Sequence, residues 1–212
     1  MNYLEQRQSV IKAGLRLVAE GLIARTWGNV SVRLDDNHCA ITPSGRSYAG
    51  LKPEDIVIMN IHDLSYAGPI VPSSEKAVHA AAYKLDDSIK AVIHTHQLQA
   101  STVAAARRNV TLTDPAVAEI LGASEIRCAS YALPGTVKLA RACAQALRGS
   151  KACLMAGHGV LCVGASLDEA FEVALRLEDA CESFIASEFE QRHGSPSDIA
   201  SRFACYLMTR GA

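Results

Sequence analysis

The segment Ala91-Val92-Ile93-His94-Thr95-His96 is the most informative stretch of this chain of 212 residues. Its apolar, β-branched start is typical of a buried strand, in which side chains repeat on one face at every second residue. We therefore expect His94 and His96 on the same face, about 6.5 to 7 Å apart along the strand. Two imidazoles at this spacing can hold one metal ion. A third histidine would complete the three-ligand arrangement, with one open position, of a catalytic zinc.

His158 is the candidate third ligand, in Ala156-Gly157-His158-Gly159 between two further apolar segments. A single strand histidine is more often a hydrogen-bonded core residue than a metal ligand. Two histidines at positions i and i+2 make a metal site about as favoured as a core role. His38, His62 and His193 lie in polar turns and are expected to be exposed.

Hydrophobic periodicity around this segment alternates between helical and strand spacing. Helices are predicted over 3–20, 73–85, 97–107, 136–147 and 166–189. Strands are predicted over 29–34, 39–42, 55–61, 91–96, 151–156 and 160–163. The last helix begins with a predicted capping box of Ser166 and Glu169. The pattern predicts a mixed α/β protein of three layers, with a central and mainly antiparallel β-sheet flanked by helices.

Composition predicts one domain over residues 1–212, with a polar and mobile tail from about residue 193. The 21 basic and 22 acidic side chains nearly cancel, which argues against nucleic acid or an anionic membrane as a partner. Seven cysteines without a Cys-x-x-Cys pair are typical of buried free thiols in a reducing compartment. With no secretory signal pattern and no apolar run of about 20 residues, a cytoplasmic location is expected.

Three short segments offer groups that can bind an anion. Gly28-Asn29 permits close backbone approach and supplies an amide donor, and Ser44-Gly45 forms a turn with a hydroxyl and backbone N–H groups. Ser73 and Ser74 precede a helix, whose N-terminus favours negative charge. Each segment alone has a structural explanation as a strand entry, a turn or an N-cap. Glu75 follows the serines, and His79, four residues later, is expected to be a half-buried partner for Glu75 or for the backbone rather than a ligand.

In this order the segments resemble the class II aldolase and adducin head family, and within it the aldolases of the fuculose 1-phosphate type. The resemblance rests on Gly28-Asn29-Val30-Ser31, Thr42-Pro43-Ser44-Gly45, Pro72-Ser73-Ser74-Glu75, His94-x-His96, Cys128-Ala129-Ser130-Tyr131 and Gly157-His158-Gly159. It spans residues 5 to 190, nearly the whole chain. The ordered set is far more specific than any one of its members.

The resemblance implies a divalent zinc held by His94, His96 and His158, with Mn²⁺, Co²⁺ or Fe²⁺ as alternative ions. It implies that Glu75 is the catalytic acid and base beside the metal. It also implies a cyclic homotetramer with active sites at subunit interfaces, and a small phosphorylated sugar as substrate. The substrate phosphate would be bound by a group of small and polar residues: Gly28, Asn29, Ser44, Gly45, Ser73 and Ser74.

The implied reaction is reversible cleavage of a ketose 1-phosphate to dihydroxyacetone phosphate and an aldehyde. Breaking the carbon–carbon bond at the carbon next to a ketone, on its far side from the carbonyl, leaves an enediolate, whose negative charge a zinc ion with three neutral ligands can stabilise. Glu75 would then remove or return a proton at the enediolate carbon. Anchoring the phosphate fixes the ketone over the metal.

One position departs from the family pattern. The aldolases use a tyrosine from a neighbouring subunit to protonate the aldehyde oxygen, and in an ungapped comparison that position falls on Ala116. A shifted loop over 114–124, another group such as Tyr131, Tyr206 or a water, or a different substrate would account for this.

Other activities of the same family stay open. They are sugar-phosphate 4-epimerases, which typically carry aspartate at the position of Glu75, decarboxylases of oxo-acid phosphates, and the dehydratase of methylthioribulose 1-phosphate. A non-catalytic adducin-like interaction module is a more remote alternative, because adducin heads lack the complete metal set that this chain carries.

Overall fold

The computed structural model describes residues 3–23 and 27–194. Its helices are α1 (Leu4–Ala19), α2 (Lys76–Tyr83), α3 (Leu98–Ala105), α4 (Pro115–Leu121), α5 (Val137–Leu147) and α6 (Leu167–His193). Its strands are β1 (Gly28–Arg33), β2 (His38–Ile41), β3 (Val57–Asn60), β4 (Ala91–Thr95), β5 (Val110–Thr111), β6 (Glu125–Ile126), β7 (Cys128–Ala129), β8 (Ala152–Met155) and β9 (Gly159–Gly164). Two 3-10 helices cover Tyr48–Gly50 and Pro53–Asp55.

Seven strands form one sheet in the order β3-β2-β1-β4-β9-β8-β7. Every neighbouring pair is antiparallel except β7 and β8, which are parallel. Strands β5 and β6 form a separate antiparallel pair. Two of the predicted strands, over 29–34 and 39–42, correspond to β1 and β2, which pair as an antiparallel hairpin with Val32 opposite Ala40. The central strand β4 carries the histidine pair, so both of its edges are covered by other strands.

Helices cover both faces of the sheet and complete the three layers. Helices α2 and α5 pack on one face, and α1, α3, α4 and α6 pack on the other. Strand β4 contributes to both cores, with Val92 facing α2 and α5 and Ile93 facing the opposite layer. The predicted fold class, a mainly antiparallel sheet between helices, is confirmed.

Two helix boundaries differ from the sequence prediction. Helix α2 begins at Lys76 rather than at Ser73, because the backbone at its N-cap, Glu75, is not yet helical. Helix α6 continues to His193, beyond the predicted end at residue 189, and Gly194 follows at φ +86°. The predicted tail from residue 195 onward and the side chain of His193 lie outside the described residues.

The predicted capping box at α6 is half formed. Ser166 Oγ accepts the backbone N–H of Glu169 at 3.1 Å, as predicted. The carboxylate of Glu169 instead accepts the backbone N–H of Ala165 and pairs with Lys151 at 2.6 Å. The salt bridge to Lys151, the residue before β8, therefore draws the side chain of Glu169 away from the N-cap.

The cysteines follow the expectation of free thiols. Five of them are buried without a disulfide (Cys39, Cys143, Cys153, Cys162 and Cys181), and Cys128 is half-buried. Burial raises the pKa of the Cys39 thiol to about 12, so it is protonated and unreactive at neutral pH. No helix in the described ranges combines the length and apolar composition that crossing a membrane requires.

Candidate metal centre

His94 and His96 project from the end of β4 toward the side of the sheet covered by α2. In the antiparallel ladder His94 lies opposite Asn29 of β1 and Leu161 of β9. His158 lies in the tight turn that joins β8 to β9, where its backbone N–H donates to Met155 O at 2.9 Å. Because β9 pairs directly with β4, this turn brings His158 to the same end of the sheet as His94 and His96.

The three imidazoles form a compact cluster. One nitrogen of each ring lies within 4.8 Å of the others. The ring centroids are separated by 4.7 Å for His94 and His96, 4.9 Å for His94 and His158, and 5.0 Å for His96 and His158. The Nε2 atoms of His94 and His96 are 2.9 Å apart. Two ligands of a tetrahedral zinc would be separated by about 3.3 Å, so only a small adjustment is needed to hold an ion.

The orientation of His94 is fixed by a backbone hydrogen bond. Its Nδ1 atom lies 2.7 Å from the carbonyl oxygen of Val160 on β9. A carbonyl only accepts, so Nδ1 carries the proton and donates it, which directs Nε2 into the cluster. This second interaction is the usual way in which proteins orient a metal-binding imidazole.

Gly159 allows β9 to approach the cluster. A Cβ atom at this position would lie 2.4 Å from Thr95 O, 3.2 Å from His94 Cε1 and 3.2 Å from His96 Cδ2. A side chain here would push against the backbone of β4 and both rings. The glycine after His158 is therefore a steric requirement of the cluster.

Glu75 contacts two of the three histidines. Its Oε2 is 2.7 Å from His94 Nε2, and its Oε1 is 3.3 Å from His158 Nε2. Burial opposes ionisation of this carboxyl group, but the hydrogen bond to His94 and the electrostatic attraction of the nearby imidazoles outweigh it and lower its pKa to about 2. Glu75 is therefore ionised at neutral pH.

The neighbouring imidazoles resist protonation. Burial, together with the charges of His94 and His158, lowers the pKa of His96 to about 4. Burial and the charge of His94 also lower the pKa of His158. Both rings are neutral at pH 7 and offer unprotonated nitrogens, as metal binding requires.

The donor set fits a divalent ion of the zinc type. Ring nitrogens of three histidines and an ionised carboxylate converge on one point, and such a set of groups favours a positive charge between them. Within the described chain, Glu75 Oε1 and His158 Nδ1 are buried without a hydrogen-bond partner. Three imidazoles with a carboxylate alongside suit a borderline ion such as Zn²⁺, and Mn²⁺, Co²⁺ and Fe²⁺ accept the same ligands.

The segments with anion-binding groups surround this cluster. Gly28 and Asn29 begin β1, beside His94. A Cβ atom at Gly28 would lie 2.6 Å from the side chain of Ile23 and 3.0 Å from the carbonyl oxygen of His94, and its φ is +151°. Glycine is therefore required for β1 to enter the sheet at this point. Asn29 is buried, with 8% of its surface exposed.

The two other segments are joined by backbone contacts. Thr42 O accepts the N–H of Ser73, and Val71 O accepts the N–H of Ser44, each at 3.0 Å. Thr42 in turn binds β1, because its Oγ1 accepts the N–H of Val30 at 3.2 Å. These bonds connect the three segments with one another, and together they contain six candidate groups: Gly28, Asn29, Ser44, Gly45, Ser73 and Ser74. We call these six residues the cradle.

The cradle combines buried and exposed groups. Ser73 is buried, and its Oγ accepts the backbone N–H of Glu75 at 3.2 Å. Ser44, Gly45 and Ser74 are exposed. Ser73 thus holds the start of α2, whereas the exposed groups are free to meet a ligand.

His79 differs from the sequence prediction. It is expected to be half-buried and paired with Glu75 or with the backbone, but it is completely buried. Its Nδ1 lies 2.7 Å from Ser31 Oγ and its Nε2 lies 2.5 Å from Asn29 Oδ1. The prediction of its partner was wrong because the Glu75 carboxylate contacts His94 and His158, whereas the His79 ring faces β1. His79 is not part of the metal cluster.

The position that lacks the family tyrosine lies away from these groups. Ala116 is an exposed residue of α4, and its backbone N–H donates to Asp114 at 2.8 Å. Tyr131 by contrast lies beside the His158 turn, 3.8 Å from where a Cβ atom on Gly157 would be. The guanidinium of Arg107 is 6.0 Å from the Tyr131 ring centroid. Tyr206 lies outside the described residues.

Sequence reasoning did not identify three groups that shape the site. The carbonyl of Val160 orients His94, the side chain of Thr42 ties the cradle to β1, and the ring of Trp27 lies 6.3 Å from that of His96. Backbone carbonyls carry no sequence signal. The position of Trp27 directly before Gly28-Asn29 was visible, but nothing in the sequence linked it to His96.

Comparison with known families and proteins agrees with this geometry. The family described as the class II aldolase and adducin N-terminal domain matches residues 8–185. The 5-deoxy-D-ribulose 1-phosphate aldolase of Bacillus thuringiensis serovar kurstaki is 33% identical over 177 residues, covering 82% of this chain and 81% of that protein. The 3-oxo-tetronate 4-phosphate decarboxylase of Haemophilus influenzae is 29% identical, covering 87% of this chain and 89% of that protein.

A solved structure shares the architecture. An L-fuculose 1-phosphate aldolase superposes with a TM-score of 0.81 at 34% sequence identity, covering 87% of this chain and 86% of that chain. The similarity extends through the sheet and its flanking helices rather than through the histidine motifs alone.

Proposed function

This chain belongs to the class II aldolase and adducin N-terminal domain family and is a class II aldolase, a carbon–carbon lyase. On this premise we propose that it is a zinc-dependent enzyme that reversibly cleaves a small ketose 1-phosphate to dihydroxyacetone phosphate and an aldehyde. The observation that carries the proposal is the meeting of His94, His96, His158 and Glu75 in one buried cluster beside the cradle.

His94, His96 and His158 would hold the metal ion. As neutral ligands they would leave the double positive charge of the ion undiminished, and the backbone bond from His94 to Val160 fixes the first ligand before the ion binds. A divalent ion at this position supplies Lewis acidity that stabilises the negative charge of the enediolate.

Glu75 is suited to moving a proton at the carbon beside the carbonyl. Its pKa is held at about 2 by its contact with His94 against the opposing effect of burial. The carboxylate is ionised at neutral pH, so it can accept a proton from that carbon and return it.

The cradle is the proposed phosphate site. Its groups are hydroxyls, backbone N–H groups and one carboxamide, so the substrate phosphate would be bound by neutral donors at the N-terminus of α2. Holding the phosphate there would fix the ketone beside Glu75 and the three histidines.

The names of the relatives support a small phosphorylated ketose or oxo-acid as the substrate. Two of them are named as aldolases of a ketose 1-phosphate. The decarboxylase supports a second candidate, loss of CO₂ from an oxo-acid phosphate, which develops negative charge at an equivalent carbon. Assays of dihydroxyacetone phosphate and CO₂ on one panel of substrates separate the two.

We also propose a cytoplasmic homotetramer with active sites at subunit interfaces. Large apolar side chains are exposed next to the cluster, including Trp27, Leu98 and Tyr131 at 54%, 72% and 49% of their surface. An apolar rim of this kind is typical of a surface that another subunit covers. Light scattering of the purified protein should give about four times the chain mass of 22.6 kDa; a monomer would contradict this assembly.

A further inference from the structure

Four buried side chains form a continuous hydrogen-bonded chain that ends at the cradle. Tyr83 Oη lies 2.8 Å from Ser31 Oγ, and Ser31 Oγ lies 2.7 Å from His79 Nδ1. His79 Nε2 then lies 2.5 Å from Asn29 Oδ1. Tyr83, Ser31 and His79 are at most 1% exposed. The chain thus links the end of α2 to β1 through the interior of the protein.

The direction of these hydrogen bonds is determined at the tyrosine end. Within the described ranges, Ser31 is the one hydrogen-bond partner of the Tyr83 hydroxyl. A buried hydroxyl proton without an acceptor costs about 1 to 3 kcal/mol, so Tyr83 donates to Ser31. The hydroxyl of Ser31 then has its own proton left for His79 Nδ1, which must be unprotonated to accept it.

Because His79 is neutral, the hydrogen bonds keep the same donor-to-acceptor direction as far as Asn29 in the cradle. Burial and the nearby charge of His94 lower the pKa of His79 to about 3, so the ring holds a single proton at working pH. With Nδ1 accepting, that proton is on Nε2 and is donated to Asn29 Oδ1. The carbonyl end of the carboxamide is therefore anchored inside the protein.

The other end of the carboxamide is left for a ligand. Asn29 keeps 8% of its surface exposed, and its Nδ2 donates to no group among the residues that the structure describes. If these hydrogen bonds ran in the opposite direction, the hydroxyl proton of Tyr83 would be unpaired. The carbonyl oxygen of Asn29 would then face the phosphate and repel it.

We propose that Tyr83, Ser31 and His79 are positioning residues that hold the carboxamide of Asn29 with its NH₂ group toward the substrate phosphate. This inference rests on the proposed function, because that function assigns the phosphate to the cradle. It assigns no contact with substrate to Tyr83 or His79, which act only through Asn29.

Neutron diffraction of wild-type crystals tests the direction itself. We expect hydrogen on Tyr83 Oη directed at Ser31, on Ser31 Oγ directed at His79, and on His79 Nε2. A proton on His79 Nδ1 would overturn the proposal. This measurement needs no variant and does not depend on catalytic activity.

Titration with inorganic phosphate tests the consequence through a double-mutant cycle. Tyr83→Phe should weaken phosphate binding roughly fivefold, since one buried hydrogen bond contributes about 1 kcal/mol. In an Asn29→Ala background the same change should have less than about a twofold effect, because the group that it positions is gone. Zinc content, measured alongside, should be unchanged in all four proteins.

An equal loss of phosphate affinity in both backgrounds would show a general structural effect and overturn the proposal. So would a wild-type protein that binds no phosphate, which would also remove the phosphate role of the cradle from the proposed function. If the double-mutant cycle gives the expected result but every aldolase assay fails, only the proposed reaction is refuted. Substrate kinetics should show the effect of Tyr83→Phe mainly in KM rather than in kcat.

Discussion

The Nε2 atom of His94 and the Oε2 atom of Glu75 lie 2.7 Å apart, at the point where the three imidazoles meet. The proposed base therefore occupies the position that a metal ion would take between the histidines. The carboxylate and an ion compete for this position, so we expect Glu75 to move aside when an ion binds.

Glu75→Gln should keep the metal and lose turnover. The amide has nearly the same shape but cannot take up a proton, so we expect kcat to fall by about two to four orders of magnitude. Zinc analysis and steady-state kinetics measure the two effects separately. Glu20→Gln, the same change at an exposed surface position, is the matched control. Undiminished turnover would remove Glu75 as the acid and base.

The double variant His94→Ala, His96→Ala should bind no zinc. One remaining imidazole cannot hold the ion against buffer, whereas the wild-type protein should carry about one ion per chain. Elemental analysis after dialysis checks this, with His62→Ala at an exposed position as control. The thermal midpoint of the wild type should rise when zinc is added, and that of the double variant should not. An equal shift in both would place the ion elsewhere.

Tyr131→Phe should slow cleavage by at least about tenfold with little change in zinc content. Tyr131 is the tyrosine that the structure describes beside the His158 turn, and we propose its hydroxyl as the proton donor that Ala116 cannot supply. Tyr206→Phe removes the same group at the other candidate position. A loss of activity in Tyr206→Phe alone would assign the role to the tail instead.

The sequence was sufficient to predict the layers of the fold and the family. The β4 segment is apolar on both faces because it is the central strand, and that property is visible as an unbroken run before His94. The cluster was predictable because His94 and His96 are two residues apart on a strand. The meeting with His158 depended on the pairing of β9 with β4, which periodicity does not specify.

The environment of His79 was not predictable from the sequence. The spacing of four residues suggested a contact with Glu75, but the carboxylate of Glu75 contacts His94 and His158 instead. The actual partners, Ser31 and Asn29, come from β1, so they depend on how α2 packs on the sheet. Contacts between residues about 50 positions apart in the sequence are found only from the tertiary structure.

The stability of the metal-free protein should depend on pH through His79. Its pKa is about 3 in the folded state, because of burial, and about 6.5 in an unfolded chain. Between these values the unfolded state binds one more proton, so the free energy of unfolding rises with pH. The contribution of His79 is complete above pH 6.5 and is lost by about 1.4 kcal/mol per pH unit as the pH falls toward 3.

The free energy of unfolding of His79→Gln should therefore depend less steeply on pH than that of the wild type between pH 4 and 6.5. Urea denaturation in the presence of a chelator gives both slopes, and the contributions of the other histidines are common to the two proteins. Parallel slopes would show that His79 is protonated in the folded state.

The most direct test of the proposed function is the release of dihydroxyacetone phosphate from a panel of substrates. The panel should contain 5-deoxyribulose 1-phosphate, fuculose 1-phosphate, ribulose 5-phosphate and an oxo-acid phosphate, each assayed with zinc-loaded and chelator-treated protein. We predict that the zinc-loaded protein releases dihydroxyacetone phosphate from at least one ketose 1-phosphate and that chelation abolishes the release. Turnover of the oxo-acid phosphate alone with release of CO₂, or cleavage that persists after the metal is removed, would contradict the account.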